Sequence, residues 1–175
     1  MELFTPLTAD KVKTLKVGEK VYLTGVIYTA RDQAHKRIIE TIERGETPPF
    51  PLENSIIFYV GPTPPKPNEV IGSAGPTTSY RMDSYTPYLL DRGLKGMVGK
   101  GERSKEVIDS IIKNRAVYFA AIGGAGALLA ASIEKSELVA YPDLGPEAVY
   151  KLTVKRFPCY VAVDSQGNDI FAVND

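Results

Sequence analysis

The 175-residue sequence predicts one α/β domain with mixed strands, spanning residues 1–175. Two observations lead there: short β-branched apolar runs alternate with segments of helical spacing, and the segment 148–173 is strand-rich. No internal repeat or long linker divides the chain. A helical turn is expected at 8–15, followed by a strand at 20–30 in which Val21, Leu23, Val26 and Ile27 supply β-branched apolar character. Ala34, Ile38, Ile39 and Ile42 then recur at three- and four-residue spacing, predicting a helix from Arg31 to Glu43 that Gly45 ends. The run IIFYVGP (56–62) reads as a short buried strand. Eight of the 13 prolines fall between Pro48 and Pro76, so that region is expected as stiff loop. A helix at 80–92, a short strand LKGMVGKG (94–101) and a helix SKEVIDSIIKN opened by Ser104 come next. After them follow a strand AVYFAAIG, a turn at Gly123, Gly124 and Gly126, and a helix ALLAAS. The end, YVAVD–SQGN–DIFAV, reads as a hairpin turning at Gln166-Gly167-Asn168.

Composition narrows the function. The chain is 43% hydrophobic and 24% charged, ordinary for a soluble globular protein and incompatible with global disorder. Lys+Arg 21 balances Asp+Glu 21, so no overall charge recruits nucleic acid or an acidic membrane. One cysteine and one histidine exclude a zinc or iron–sulfur site built from this chain alone. Cys159 also excludes an internal disulfide, fits a reducing, cytoplasmic setting, and beside Pro158 reads as a buried apolar residue. The N-terminal stretch carries charges every few residues, unlike a signal peptide. Residues 116–133 are uncharged for 18 positions, near the length of a membrane span. Glycines interrupt that stretch, its first half is β-branched and aromatic, and its second half is helix-forming, so strand, turn and helix are expected instead.

Several motifs fail. Gly96, Gly99, Lys100 and Gly101 suggest a phosphate loop, but Leu94 occupies the required upstream glycine position and Gly101 replaces the magnesium-binding hydroxyl. The Gly124-Ala125-Gly126 turn lacks the third glycine of a dinucleotide fingerprint. No Gly-x-Ser-x-Gly elbow is present, and His35 is the single histidine.

Cations and hydroxyls at element ends remain. Arg31 and His35 lie four residues apart at a helix start, either as part of a site after a strand end or as a solvated helix terminus with Asp32. In Gly72-Ser-Ala-Gly-Pro-Thr-Thr-Ser-Tyr-Arg81, glycines let backbone approach a ligand, and N–H groups at a helix start can hold an anion. Thr77, Thr78 and Ser79 are N-cap candidates too, although three consecutive hydroxyls exceed what one cap needs. Lys100, between two glycines, is a loop cation or a point charge aimed at an anion. Arg31, Arg81 and Lys100 together would offer a dicarboxylate two forked donors and one ammonium.

VIYTARDQAHKR, GPTTSYRMDSY, KGMVGKGERSKE and AAIGGAGALLA, in this order and spacing, resemble the β subunit of two-subunit class I fumarate hydratase. The same module forms the C-terminal domain of single-chain class I fumarases and the β subunit of L-tartrate dehydratase. The resemblance runs from about Phe4 to Tyr150. It implies a swivelling β/β/α fold with a mixed sheet and flanking helices. It also implies an iron–sulfur hydro-lyase whose [4Fe–4S] cluster is held by three cysteines of an α subunit, in an α2β2 assembly. By the same resemblance, Arg31 and Arg81 are substrate-carboxylate clamps, Lys100 is the active-site lysine, and Thr77 is the catalytic base. His35 is expected to orient Arg31 or to take part in proton transfer. The reaction implied is reversible hydration of fumarate to L-malate, with dehydration of L-tartrate as a neighbour and a non-catalytic anion-binding module as the rival.

Overall fold

Strand β2 (Lys20–Thr29) is the hinge of the architecture, because three strands pair with it. In a computed structural model describing residues 1–121 and 126–172, β1 (Glu2–Phe4) runs parallel to its start and β3 (Ile56–Phe58) parallel to its end. The parallel series continues through β4 (Gly96–Gly99) and β5 (Val117–Ala120). The long strand β7 (Val149–Val163) runs antiparallel to both β5 and β2, so the sheet closes on itself. The order is β1-β2-β3-β4-β5-β7-β6, with β6 (Ile133–Ala140) along the first half of β7. This is the expected mixed sheet with flanking helices.

The continuous apolar runs have a simple cause. Ile56 and Phe58 point into one buried cluster with Leu23, Ile27, Val98 and Phe119, while Ile57 and Tyr59 point into a second with Met97 and Tyr118. Strands covered on both faces need apolar residues at every position, not at alternate ones. The second cluster lies between the sheet and the helices α2 (Asp32–Glu43), α3 (Thr86–Leu90) and α4 (Lys105–Asn114), with Ala34, Ile38, Leu89, Val107 and Ile111 buried. The short helix α1 (Ala9–Val12) begins at Thr8, whose hydroxyl accepts from Lys11 N–H, and Ser104 caps α4 by accepting from Val107 N–H. Gly45 takes the positive φ of 78° that ends α2. Residue Gly126 opens α5 (Gly126–Ala131), while Gly123 and Gly124 lie outside the described residues.

Two local expectations are corrected. The helix expected at 80–92 is a 3₁₀ turn, Ser79–Met82, followed by α3 with Pro87 in its first turn. Proline has no N–H and its ring clashes with the carbonyl four residues back, so the helix restarts there instead of running through. The second arm of the expected C-terminal hairpin shrinks to a single bridge, Val163 with Asp169. The Asp164 carboxylate accounts for this: it accepts from the N–H groups of Gln166 and Asn168 and ties the turn to Val17 N–H. Strands β1 and β6 carry no clear strand signal in the sequence, because β1 is only three residues long and β6 is laced with Glu134, Lys135 and Glu137. No helix among the described residues is long and apolar enough to cross a membrane; the uncharged stretch holds β5 and α5.

Candidate active site

Parallel strands that share a direction deliver their C-terminal ends to one edge, where α/β folds keep their ligands. At this edge Arg31 follows β2 as the N-cap of α2, Gly61 lies just beyond β3, and Lys100 follows β4. Residues 77–79 cross between them. Thr77 N–H donates to Tyr59 C=O at 2.7 Å, Lys100 N–H donates to Thr77 C=O at 3.3 Å, and Ser79 N–H donates to Lys100 C=O at 2.9 Å. Thr78 and Lys100 form a parallel bridge. Thr77 and Lys100 are thus neighbours by backbone pairing.

The arginines join the same edge. The Arg31 side chain lies across Gly61, where an added Cβ would stand 2.7 Å from Nη1. A side chain at this position would push the guanidinium aside. Arg81 Nη2 reaches Asp32 Oδ1 at 3.2 Å, which brings the 3₁₀ turn against the start of α2 beside Arg31. Of the five expected site residues, Arg31, Thr77, Arg81 and Lys100 line one strand-end edge. Lys100 and Arg81 are exposed, and Arg31 and Thr77 are half-buried.

The capping explanation for the three hydroxyls does not hold. Thr78 makes no side-chain cap bond. Ser79 Oγ instead meets Tyr118 Oη at 2.7 Å, and Tyr118 O–H donates to Gly101 C=O at 2.8 Å, so the serine is the donor in the first bond. Burial pushes the Tyr118 phenol pKa up, which keeps that proton in place. A Cβ at Gly99 would collide with Ser79 Oγ, so β4 passes close beneath this segment only because Gly99 has none. Gly72, by contrast, presses against Thr63 of its own chain, and its missing side chain serves packing and not a ligand.

His35 sits beneath the edge, fully buried, between the rings of Tyr59 and Tyr85. Its Nδ1 lies 2.8 Å from Arg31 C=O; a carbonyl only accepts, so the proton is on Nδ1 and Nε2 carries the lone pair. That Nε2 is buried with no hydrogen-bond partner among the described residues. Burial lowers the His35 pKa from 6.5 to about 4, assisted by the charge of Arg103 and opposed by the Arg31 carbonyl. The unfolded chain takes up this proton below pH 6.5 and the folded chain only near 4, so stability is lost as pH falls between those values. The loss amounts to about 3 kcal/mol. As the chain's single histidine, His35 should show an imidazole NMR signal that does not titrate between pH 5.5 and 8. A midpoint near 6.5 would show instead that the ring is solvated.

One feature of the site was missed from sequence. Arg103, with a side chain 0% exposed, pairs through Nε with Asp83 Oδ1 at 2.7 Å. Its Nη2 donates to Thr86 Oγ1 at 2.9 Å and Tyr59 Oη at 3.2 Å, and its Cζ lies 4.8 Å from the Tyr118 ring centre. Asp83 Oδ2 accepts from Ser104 N–H. This pair sits under the segment 77–81 and the turn 99–101. Arg103 stands within KGMVGKGERSKE and Asp83 within GPTTSYRMDSY, but an arginine in a glycine-bordered loop reads as solvated without knowledge of what packs over it.

Among the described residues, no group of three or more His, Cys, Asp or Glu side chains is placed to hold a metal. Cys159 is paired with Val21 in the sheet and buried, and burial drives its thiol pKa up, so it fits no cluster-ligand role.

A Methanocaldococcus jannaschii protein provisionally named L(+)-tartrate dehydratase subunit beta is 47% identical over 174 residues, covering 96% of this chain and 89% of that protein. The anaerobic class I fumarate hydratase of Escherichia coli is 42% identical over 157 residues, and fumarate hydratase 2 of Leishmania major 41% over 158. Each match takes in 89% of this chain, which spans 29% and 28% of those longer relatives. The pattern described as Fumarase C-terminus matches residues 1–174, and the chain belongs to that family.

Proposed function

We propose that this chain is the β subunit of an iron–sulfur hydro-lyase that reversibly hydrates fumarate to L-malate. On this reading a cluster-bearing α subunit completes the site, in an α2β2 assembly. One observation supports it: Arg31, Arg81, Lys100 and Thr77 lie along a single strand-end edge. Arg31 and Arg81 bind and orient the substrate carboxylates through forked N–H pairs. Lys100 places a point charge beside Thr77, whose side-chain oxygen, as the alkoxide, takes the proton from the carbon next to a carboxylate and becomes the neutral hydroxyl. A threonine is a weak base, and neighbouring cations favour its alkoxide. Removing that proton builds negative charge on the adjacent carboxylate, which preorganised Arg and Lys donors stabilise. His35 holds the Arg31 backbone from below and keeps that turn dry. The [4Fe–4S] cluster, held by the partner's cysteines, supplies Lewis acidity at the substrate hydroxyl.

A second reading, L-tartrate dehydration, is favoured by the name of the Methanocaldococcus jannaschii relative, which matches nearly end to end. Co-expression with a three-cysteine α partner under anaerobic conditions, followed by assay at the fumarate absorbance, tests the proposal. Activity that needs both chains is the expected result. Failure to form a complex, or a complex without activity, would favour the non-catalytic anion-binding module, whereas full activity with Arg81→Ala would remove Arg81 from the substrate site.

A further inference from the structure

Strand β5 carries one hydroxyl that packing does not call for. Val117, Tyr118, Phe119 and Ala120 are all buried, and a phenylalanine would fill the space of the Tyr118 ring equally well. A phenol in such surroundings costs stability unless its oxygen and its proton are both engaged. Here they are: Ser79 Oγ donates to Tyr118 Oη at 2.7 Å, and Tyr118 O–H donates to Gly101 C=O at 2.8 Å. Ser79 lies two residues past Thr77, and Gly101 follows Lys100. The phenol therefore staples together the two segments that carry the threonine and the lysine.

That staple supplements a thin backbone connection. Among the described residues, the backbone hydrogen bonds between 77–79 and 99–101 are Ser79 N–H to Lys100 C=O at 2.9 Å and Lys100 N–H to Thr77 C=O at a longer 3.3 Å. Glycines flank the lysine, and Gly101 has a φ of 83°, so neither neighbour has a side chain to anchor the turn. The Tyr118 ring is itself held: it is fully buried, pairs with Met97 across the sheet, and has Arg103 Cζ 4.8 Å from its centre. We infer that Tyr118 is a positioning residue, which touches no substrate but fixes the Thr77 and Lys100 side chains relative to each other. The inference rests on those two groups acting together in proton removal, as proposed above.

The test compares the reconstituted α/β complex of the wild type, Tyr118→Phe and Ser79→Ala, assayed on L-malate and L-tartrate. Thr77 and Lys100 act on charge that develops during proton removal, so their misplacement should fall on kcat. Tyr118→Phe is expected to lower kcat about tenfold to a hundredfold, with KM within about threefold. Ser79→Ala cuts the same link from its other end, so the double variant should be no worse than the worse single one. Amide exchange of the isolated chain should quicken at Ser79 and Lys100 and stay unchanged in α2 and α4, which separates local release from general loosening. An unchanged kcat in both variants, a rise in KM equal to the fall in kcat, or faster exchange throughout the chain overturns the assignment of Tyr118 and leaves the hydro-lyase reading standing. A wild-type complex inactive on both diacids overturns the two together.

Discussion

Arg81→Ala or Lys100→Ala is expected to lower kcat/KM of the reconstituted complex at least about a hundredfold, the scale of losing one preorganised donor to developing charge. Both side chains are exposed, so neither substitution opens a cavity, although Arg81→Ala leaves the solvent-inaccessible Asp32 Oδ1 without its cation. The loss should therefore appear without a matching fall in thermal stability for Lys100→Ala, and with a smaller one than the kinetic loss for Arg81→Ala. Arg81 also holds Asp32, and without that arginine the carboxylate would face the incoming diacid unneutralised, adding repulsion to the lost attraction. Lys100 acts differently: its backbone pairing with Thr77 and Ser79 survives the substitution, so only the ammonium is removed. Steady-state kinetics with a parallel melting curve separates these effects. Activity within a few-fold of wild type for both variants would remove the cations from the reaction.

The second large effect falls on folding. Asp83→Ala should destabilise the chain by about 3–5 kcal/mol, because it strands Arg103 as a buried guanidinium without its counter-ion. The exposed pair Lys113–Asp91 is the control, since such surface pairs contribute about 1 kcal/mol or less. Asp83→Asn keeps an acceptor oxygen for Arg103 Nε and should cost less than Asp83→Ala. Denaturant titration of the isolated chain reads the difference as a shift in midpoint. If Asp83→Ala cost no more than the surface control, water would have to reach Arg103, and the pair beneath residues 77–81 would not be a buried one.

The two effects belong to layers of one site that are unequally visible in the sequence. Arg31 and Lys100 can be picked out because each closes an apolar run, and Thr77 and Arg81 because three consecutive hydroxyls and an arginine follow a glycine-rich stretch. His35 is legible only as a neighbour of Arg31 on a helix; its burial against Tyr59 and Tyr85 depends on which face α2 turns to the sheet. Arg103 has no local signature. It sits in an irregular segment, where charge ordinarily means solvent contact.

The sequence by itself determined most of the secondary structure. Apolar period, capping hydroxyls at Thr8 and Ser104, and the proline-dense loop each depend on residues within a turn or two of one another. The likeness of four motifs also identified the family. Only the tertiary structure decided that β7 closes the sheet against β2, that Arg103 lies in the interior with Asp83, and that Tyr118 meets Ser79 and Gly101. Those contacts join residues far apart in the chain. Their energies come from desolvation and mutual proximity, which exist only once the elements have packed.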